Sequence, residues 1–138
     1  MIRAATPLFV RAALGVAGVI GIVACTADPA RRTEANYCAE VNKRLGDLSA
    51  PVLATQADID RVVGAWRAVA SVAPLAIQDE WTAMVDNVVT AATVDPADPA
   101  SVQRVADRAR QTEPAADRVI VYTQTTCGVT IGSPAPGP

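Results

Sequence analysis

Three thiols, two short groups of carboxylates and a set of arginines are the reactive side chains of this 138-residue chain, which contains no histidine. Without an imidazole, the commonest general base and the commonest metal ligand are both missing. Asp79-Glu80 and Asp95/Asp98 come nearest to paired carboxylates. Helix neighbours at i and i+1 diverge, so Asp79 and Glu80 do not share a site by spacing alone. The Asp95-Pro96-Ala97-Asp98-Pro99 unit lacks the glycine and the distal glutamate of a calcium loop, and Asp followed by Pro is a common helix start. Capping therefore explains Asp98 better than metal binding. No phosphate-cradling glycine loop and no GxSxG occurs. The expectation is a chain that is not an enzyme and needs no metal or cofactor.

Two tryptophans and four arginines offer binding rather than catalysis. Trp66 and Trp81 fall on apolar faces of adjacent predicted helices, so a ligand pocket between them is open as a reading, with core packing as the plainer one. Arg104, Arg108, Arg110 and Arg118 could meet phospholipid headgroups or an anionic envelope polymer. Asp107 and Asp117 interrupt them, which favours an ordinary solvated face. Arg3 and Arg11 are the only charges before Asp28, leaving ten basic and fourteen acidic residues and a net charge of −4 from there on. That balance excludes a nucleic-acid binder by charge.

The N-terminal residues have a separate logic. Arg3 and Arg11 precede Ala12–Ala24, thirteen residues without a charge or a strongly polar side chain. A helix needs about 20 residues to cross roughly 30 Å of hydrocarbon, so this run is too short and fits the apolar region of a signal peptide. Ile22-Val23-Ala24 then leads into Cys25, an aliphatic residue at minus three and a small one at minus one. This resembles the lipobox of bacterial lipoproteins, with Ile22 in place of the commoner Leu. The resemblance implies that Cys25 carries a thioether-linked diacylglycerol and becomes the first residue of the mature protein. It also implies a lipid-anchored place on the extracytoplasmic face of the cell membrane. The alternative is an ordinary secretory signal cut after Ala27, which would discard Cys25.

Behind the anchor, residues 25–32 read as a lipidated cysteine and a short tether, 33–128 as the domain, and 129–138, ending in GSPAPGP, as a disordered tail. Apolar spacing in the domain is helical almost throughout. Thr33 caps a first helix over 34–45, with Tyr37, Cys38, Val41 and Leu45 on one face, ended by Gly46, Asp47, Ser49 and Pro51. A second helix runs over 58–72 with Asp58 as cap and Trp66 on its apolar stripe. Pro74 either starts a third helix or kinks a longer one, and the period continues through Ile77, Trp81, Met84, Val85, Val88 and Ala92. Asp98-Pro99 opens a fourth helix with Val102, Val105, Ala106 and Ala109 inward. Glu113-Pro114 is expected to break it, and the β-branched run 119–122 is read as helix ending at Gly128 rather than as an unpartnered strand.

With Cys25 assigned to lipid, Cys38 and Cys127 are an even pair in an exported chain, for which a disulfide is the default. Their Cα atoms must then lie within about 7 Å. Four antiparallel helices bring the chain ends to one side, whereas three do not, so the expected fold is all-α. It is a small up-down four-helix bundle, its last helix broken at Pro114, stapled by one disulfide after a cleaved signal peptide. In style this resembles small helical lipoproteins exported by actinobacteria. The first functional expectation is a non-enzymatic envelope lipoprotein whose domain docks a protein or polymer. The alternative is a binding protein for a small apolar or lipidic ligand held between the helices near Trp66 and Trp81.

Overall fold

The computed structural model describes residues 29–132. The apolar run, Cys25 and residues 133–138 lie outside them. Helix is the only regular structure among the described residues: α1 (Glu34–Lys43), α2 (Leu45–Ser49), α3 (Gln56–Val72), α4 (Gln78–Ala92) and α5 (Pro99–Cys127), with 3-10 turns at Pro29–Arg31 and Leu75–Ile77. None of these helices is long and apolar enough to cross a membrane.

Local chemistry sets most of the ends. The Thr33 hydroxyl accepts from the Asn36 amide at 3.2 Å, as expected of the first cap. Arg44 leaves helical geometry with φ −113° and ψ 14°, and its Nε donates to Glu40 Oε1 at 2.5 Å. The chain then resumes as α2, so Gly46, Asp47 and Ser49 lie within a short helix instead of a linker. The second correction is at α3, which begins two residues before the sequence expectation. Thr55 is its cap and Asp58 the third helical residue, with Asp58 N–H donating to Thr55 Oγ1 at 3.2 Å and Thr55 N–H to Asp58 Oδ2 at 3.0 Å. This reciprocal box uses Asp where Glu is usual, which hid it from a reading that took Asp58 as the cap itself. Ala73 and Pro74 are extended, so α3 ends before the proline and Pro74 leads into the turn preceding α4.

The expected break at Pro114 is absent. α5 is one helix of 29 residues, about 43 Å long, with Asp98 capping it through Ala100 N–H at 2.9 Å and Pro99 at its first position. Pro114 cannot donate to the carbonyl of Arg110, but both residues lie on the exposed face, where water can take the freed acceptor. The inward residues of its first half also differ from expectation. Val102 is exposed, whereas Ser101 and Thr112 are buried with their hydroxyls in use, Ser101 accepting from Asp95 N–H and Thr112 donating to Arg108 O.

Ion pairs show that α5 runs antiparallel to α4, since Arg108 meets Asp86 and Arg118 meets Glu80. α1 behaves differently. Glu34 meets Tyr122, Tyr37 meets Thr123 and Cys38 meets Cys127, pairs that advance together along both helices, so α1 lies across the end of α5 and does not run antiparallel beside it. The Cys38–Cys127 disulfide is formed, with Cα atoms 5.3 Å apart. In the chain-entropy picture, closing so long a loop contributes about 4.6 kcal/mol. That is a large share of the net stability of a domain this size.

Gly128 ends α5 in the left-handed conformation, φ 70°, as expected of a helix C-cap glycine. The chain then turns back, which corrects the tail boundary for residues 129–132. Ser49 Oγ donates to Thr130 O, Gly132 N–H donates to Leu48 O, and Ile131 is buried in the core. At the other end, Arg32 Nη1 donates to Ala73 O at 2.8 Å, so the last residues of the expected tether are docked on the domain.

A helix that passes unbroken through an exposed proline pays for it in stability. Pro114→Ala is expected to raise the free energy of unfolding by about 1–3 kcal/mol, measured by denaturant titration. An unchanged or lower midpoint would show that the proline is matched to its position.

Candidate functional site

The centre of the domain is an aromatic file. Trp66 packs edge-to-face on Trp81 at 5.8 Å, Trp81 on Tyr37 at 6.2 Å and Tyr37 on Tyr122 at 5.9 Å. Tyr37 and Trp81 are buried, while Trp66 and Tyr122 at the ends are half-buried. Such pairs add about 0.5–1.5 kcal/mol each beyond area burial, which compensates for an Ala- and Val-rich core.

The two inner members form a directed hydrogen-bond chain. Trp81 Nε1 can only donate, and it gives its proton to the Tyr37 hydroxyl at 3.2 Å. Thr123 Oγ1 donates to the Val119 carbonyl at 2.7 Å, so Tyr37 donates to Thr123 across 2.5 Å. Four groups on α1, α4 and α5 are thus satisfied in one sequence that ends on backbone. Burial is the main cause that pushes the Tyr37 phenol above its ordinary value, opposed by its bonds to Thr123 and Trp81.

Trp66 and Trp81, which the sequence places on equivalent faces, therefore do different work. Trp81 is fully committed to the core, its N–H bonded to Tyr37. Trp66 borders two clefts. The larger, about 430 Å³, lies between α3, α4 and α5, with Trp66, Met84, Asn87, Thr112, Ala116 and Ile120 among its walls and Arg110, Glu113 and Asp117 at its edge. The smaller, about 220 Å³, lies under the α2–α3 loop and is almost wholly apolar, walled by Pro51, Leu53, Ile59, Val62, Val63 and Val88 with Trp66 and Asn87. Trp66 and Asn87 are the two residues common to both clefts.

Trp66 Nε1 and Asn87 Oδ1 are also buried side-chain atoms without a hydrogen-bond partner. A buried donor or acceptor left unpaired costs about 1–3 kcal/mol, and the great majority in folded proteins are paired. The remaining unpaired atom of this kind among the described residues is Arg32 Nε, beside the start of the domain and away from both clefts. No sequence signal distinguishes Asn87, which lies between Asp86 and Val88 in an ordinary helical period.

The other sequence candidates resolve into structural roles. Arg104, Arg108, Arg110 and Arg118 are paired with Asp98, Asp86, Asp107 and Glu80, so they do not form an uncompensated basic patch. Asp95 Oδ1 accepts from Ala97 N–H and Asp98 caps α5, which accounts for the repeated Asp-Pro unit. Asp79 and Glu80 do not converge, Asp79 being exposed and Glu80 engaged with Arg118. No cluster of three or more metal-ligating side chains occurs among the described residues. No protein-family model, curated protein or solved structure matches this chain.

The Tyr37 chain can be tested through pH. Below about pH 10 the phenol is protonated in folded and unfolded chains alike, and its contribution is complete. Above that, the unfolded chain releases the proton while the buried phenol holds it, so stability falls as pH rises through the elevated folded value. Tyr37→Phe should cost about 1–3 kcal/mol at pH 7, because Trp81 loses its acceptor. It should also flatten the loss of stability measured by denaturant titration between pH 9 and 12. The slope that is left reports Tyr122, whose phenol is raised by burial and by Glu34.

Proposed function

We propose that this protein is a membrane-anchored, extracytoplasmic binding module that holds a small, largely apolar ligand in the clefts on either side of Trp66. The observation that carries the reading is the pair of adjoining clefts, one nearly all apolar, separated by an indole with an unpaired N–H. Concave apolar sites with a few polar groups are the usual form of small-molecule pockets, and the larger cleft falls in their normal range of about 300–1,000 Å³. The reading assigns ligand contact to Trp66 and a supporting role to Trp81. It is non-enzymatic: Glu113 and Asp117 stand exposed on the rim of the larger cleft with no partner base or nucleophile assembled around them.

The anchor belongs to the same proposal. Acylation of Cys25 and cleavage before it would tie the domain to the membrane by two chains at about 0.8 kcal/mol per buried CH₂. The docked Arg32 would then hold the domain close to the lipid surface. We read α3, α4 and α5 as the up-down part of the bundle, α2 being a side turn and α1 crossing the end of α5. Docking of an envelope protein or polymer is the second reading, supported by Leu53, exposed at the wall of the smaller cleft, and by exposed Val52 next to it in the chain.

Two measurements test these statements. Mass spectrometry of the protein extracted from membranes should find a diacylated Cys25 at the N-terminus, and an unmodified N-terminus at Asp28 would refute the anchor. N-phenyl-1-naphthylamine, an apolar fluorescent probe, should bind saturably at one site. Val63→Phe, which fills the smaller cleft, should weaken that binding at least tenfold without loss of fold. Absence of saturable binding, or binding unaffected by Val63→Phe, would favour the docking reading.

A further inference from the structure

The nature of the ligand can be taken further, on the basis of the binding reading above. Trp66 and Asn87 form the partition between the two clefts, and each carries one buried atom with no partner. The two atoms are complementary to a single kind of group. The indole Nε1 is a donor that needs an acceptor, and the carboxamide Oδ1 is an acceptor that needs a donor.

We infer that the two clefts become one site when occupied, and that Trp66 Nε1 and Asn87 Oδ1 read a neutral head group carrying both an acceptor and a donor, of the carboxamide class, on an amphiphile with an apolar body. The body fits the smaller cleft, whose walls are Ile59, Val62, Val63 and Val88 with the loop residues Pro51 and Leu53. The head lies at the partition, where a shift of the Trp66 and Asn87 side chains opens the passage and the incoming group supplies both missing bonds. The charges beyond it favour a neutral head. Arg110 is already paired with Asp107, while Glu113 and Asp117 face the larger cleft, so a carboxylate there would meet two like charges and no free cation of that cleft.

This differs from a lipid slot in its demand for hydrogen bonding. A site built to hydrogen-bond its ligand rejects an analogue lacking the group, because its buried polar atoms are left unpaired. Burial of an aliphatic chain alone carries no such discrimination.

The test compares octanamide with N,N-dimethyloctanamide, which keeps the carbonyl and loses the N–H, by displacement of N-phenyl-1-naphthylamine from the full chain. Octanamide should bind about tenfold tighter to the unaltered protein, the effect of one net hydrogen bond. Asn87→Leu should abolish that preference, and Trp66→Phe should weaken both amides together. Equal affinity for the two amides in the unaltered protein, a comparison that needs no variant to fold, would overturn the inference. So would a preference that survives in a folded Asn87→Leu protein. If the naphthylamine probe itself fails to bind, the binding reading falls, a result distinct from probe binding without amide discrimination.

Discussion

The interior of this domain depends on the hydroxyl of Tyr37. Half of the buried core is Ala and Val, whose small side chains pack against one another without dictating a single arrangement. The Tyr37 hydroxyl supplies the missing specificity, because it accepts from α4 and donates to α5 while its own backbone belongs to α1. Any sliding of one helix past the others would leave the Trp81 N–H buried without an acceptor. The disulfide one residue further along α1 restrains the unfolded chain, whereas the hydroxyl selects among compact arrangements. The two devices act on different states and sit at the same crossing.

What the sequence disclosed follows from how local each signal is. Thr33, Asp98 and Gly128 act within a turn of themselves, and all three mark the helix ends they suggest. The pairing of Cys38 with Cys127 followed from counting thiols, with little dependence on geometry. Pro114 misled because a proline removes one donor and crowds one turn, and its effect depends on which face it occupies. On the exposed side of α5 the helix continues through it. Ser101 and Thr112 misled in the opposite sense, since their hydroxyls are satisfied by nearby backbone and can be buried where an apolar pattern would have placed Val102.

The candidate site was less legible than the fold. Trp66 and Trp81 have equivalent places in their helical periods, and no pattern tells which one finds a partner for its N–H. That outcome is decided by Tyr37, which is distant in sequence. Clefts form where neighbouring side chains are too short to close the gap between helices, and the Ala-rich stretches of α4 and α5 supply many such positions. Asn87 had no signal because an asparagine in a helix is unremarkable until its surroundings are known.

The Cys38–Cys127 bond has one more consequence. The segment 50–55, between α2 and α3, is exposed throughout and belongs to the most accessible stretch inside the loop that the disulfide closes. Proteases cut preferentially at such stretches. A cut there would leave two polypeptides joined by sulfur, with α1 and α2 on one and α3 to α5 on the other. The severed molecule would keep both halves together, and only reduction would part them.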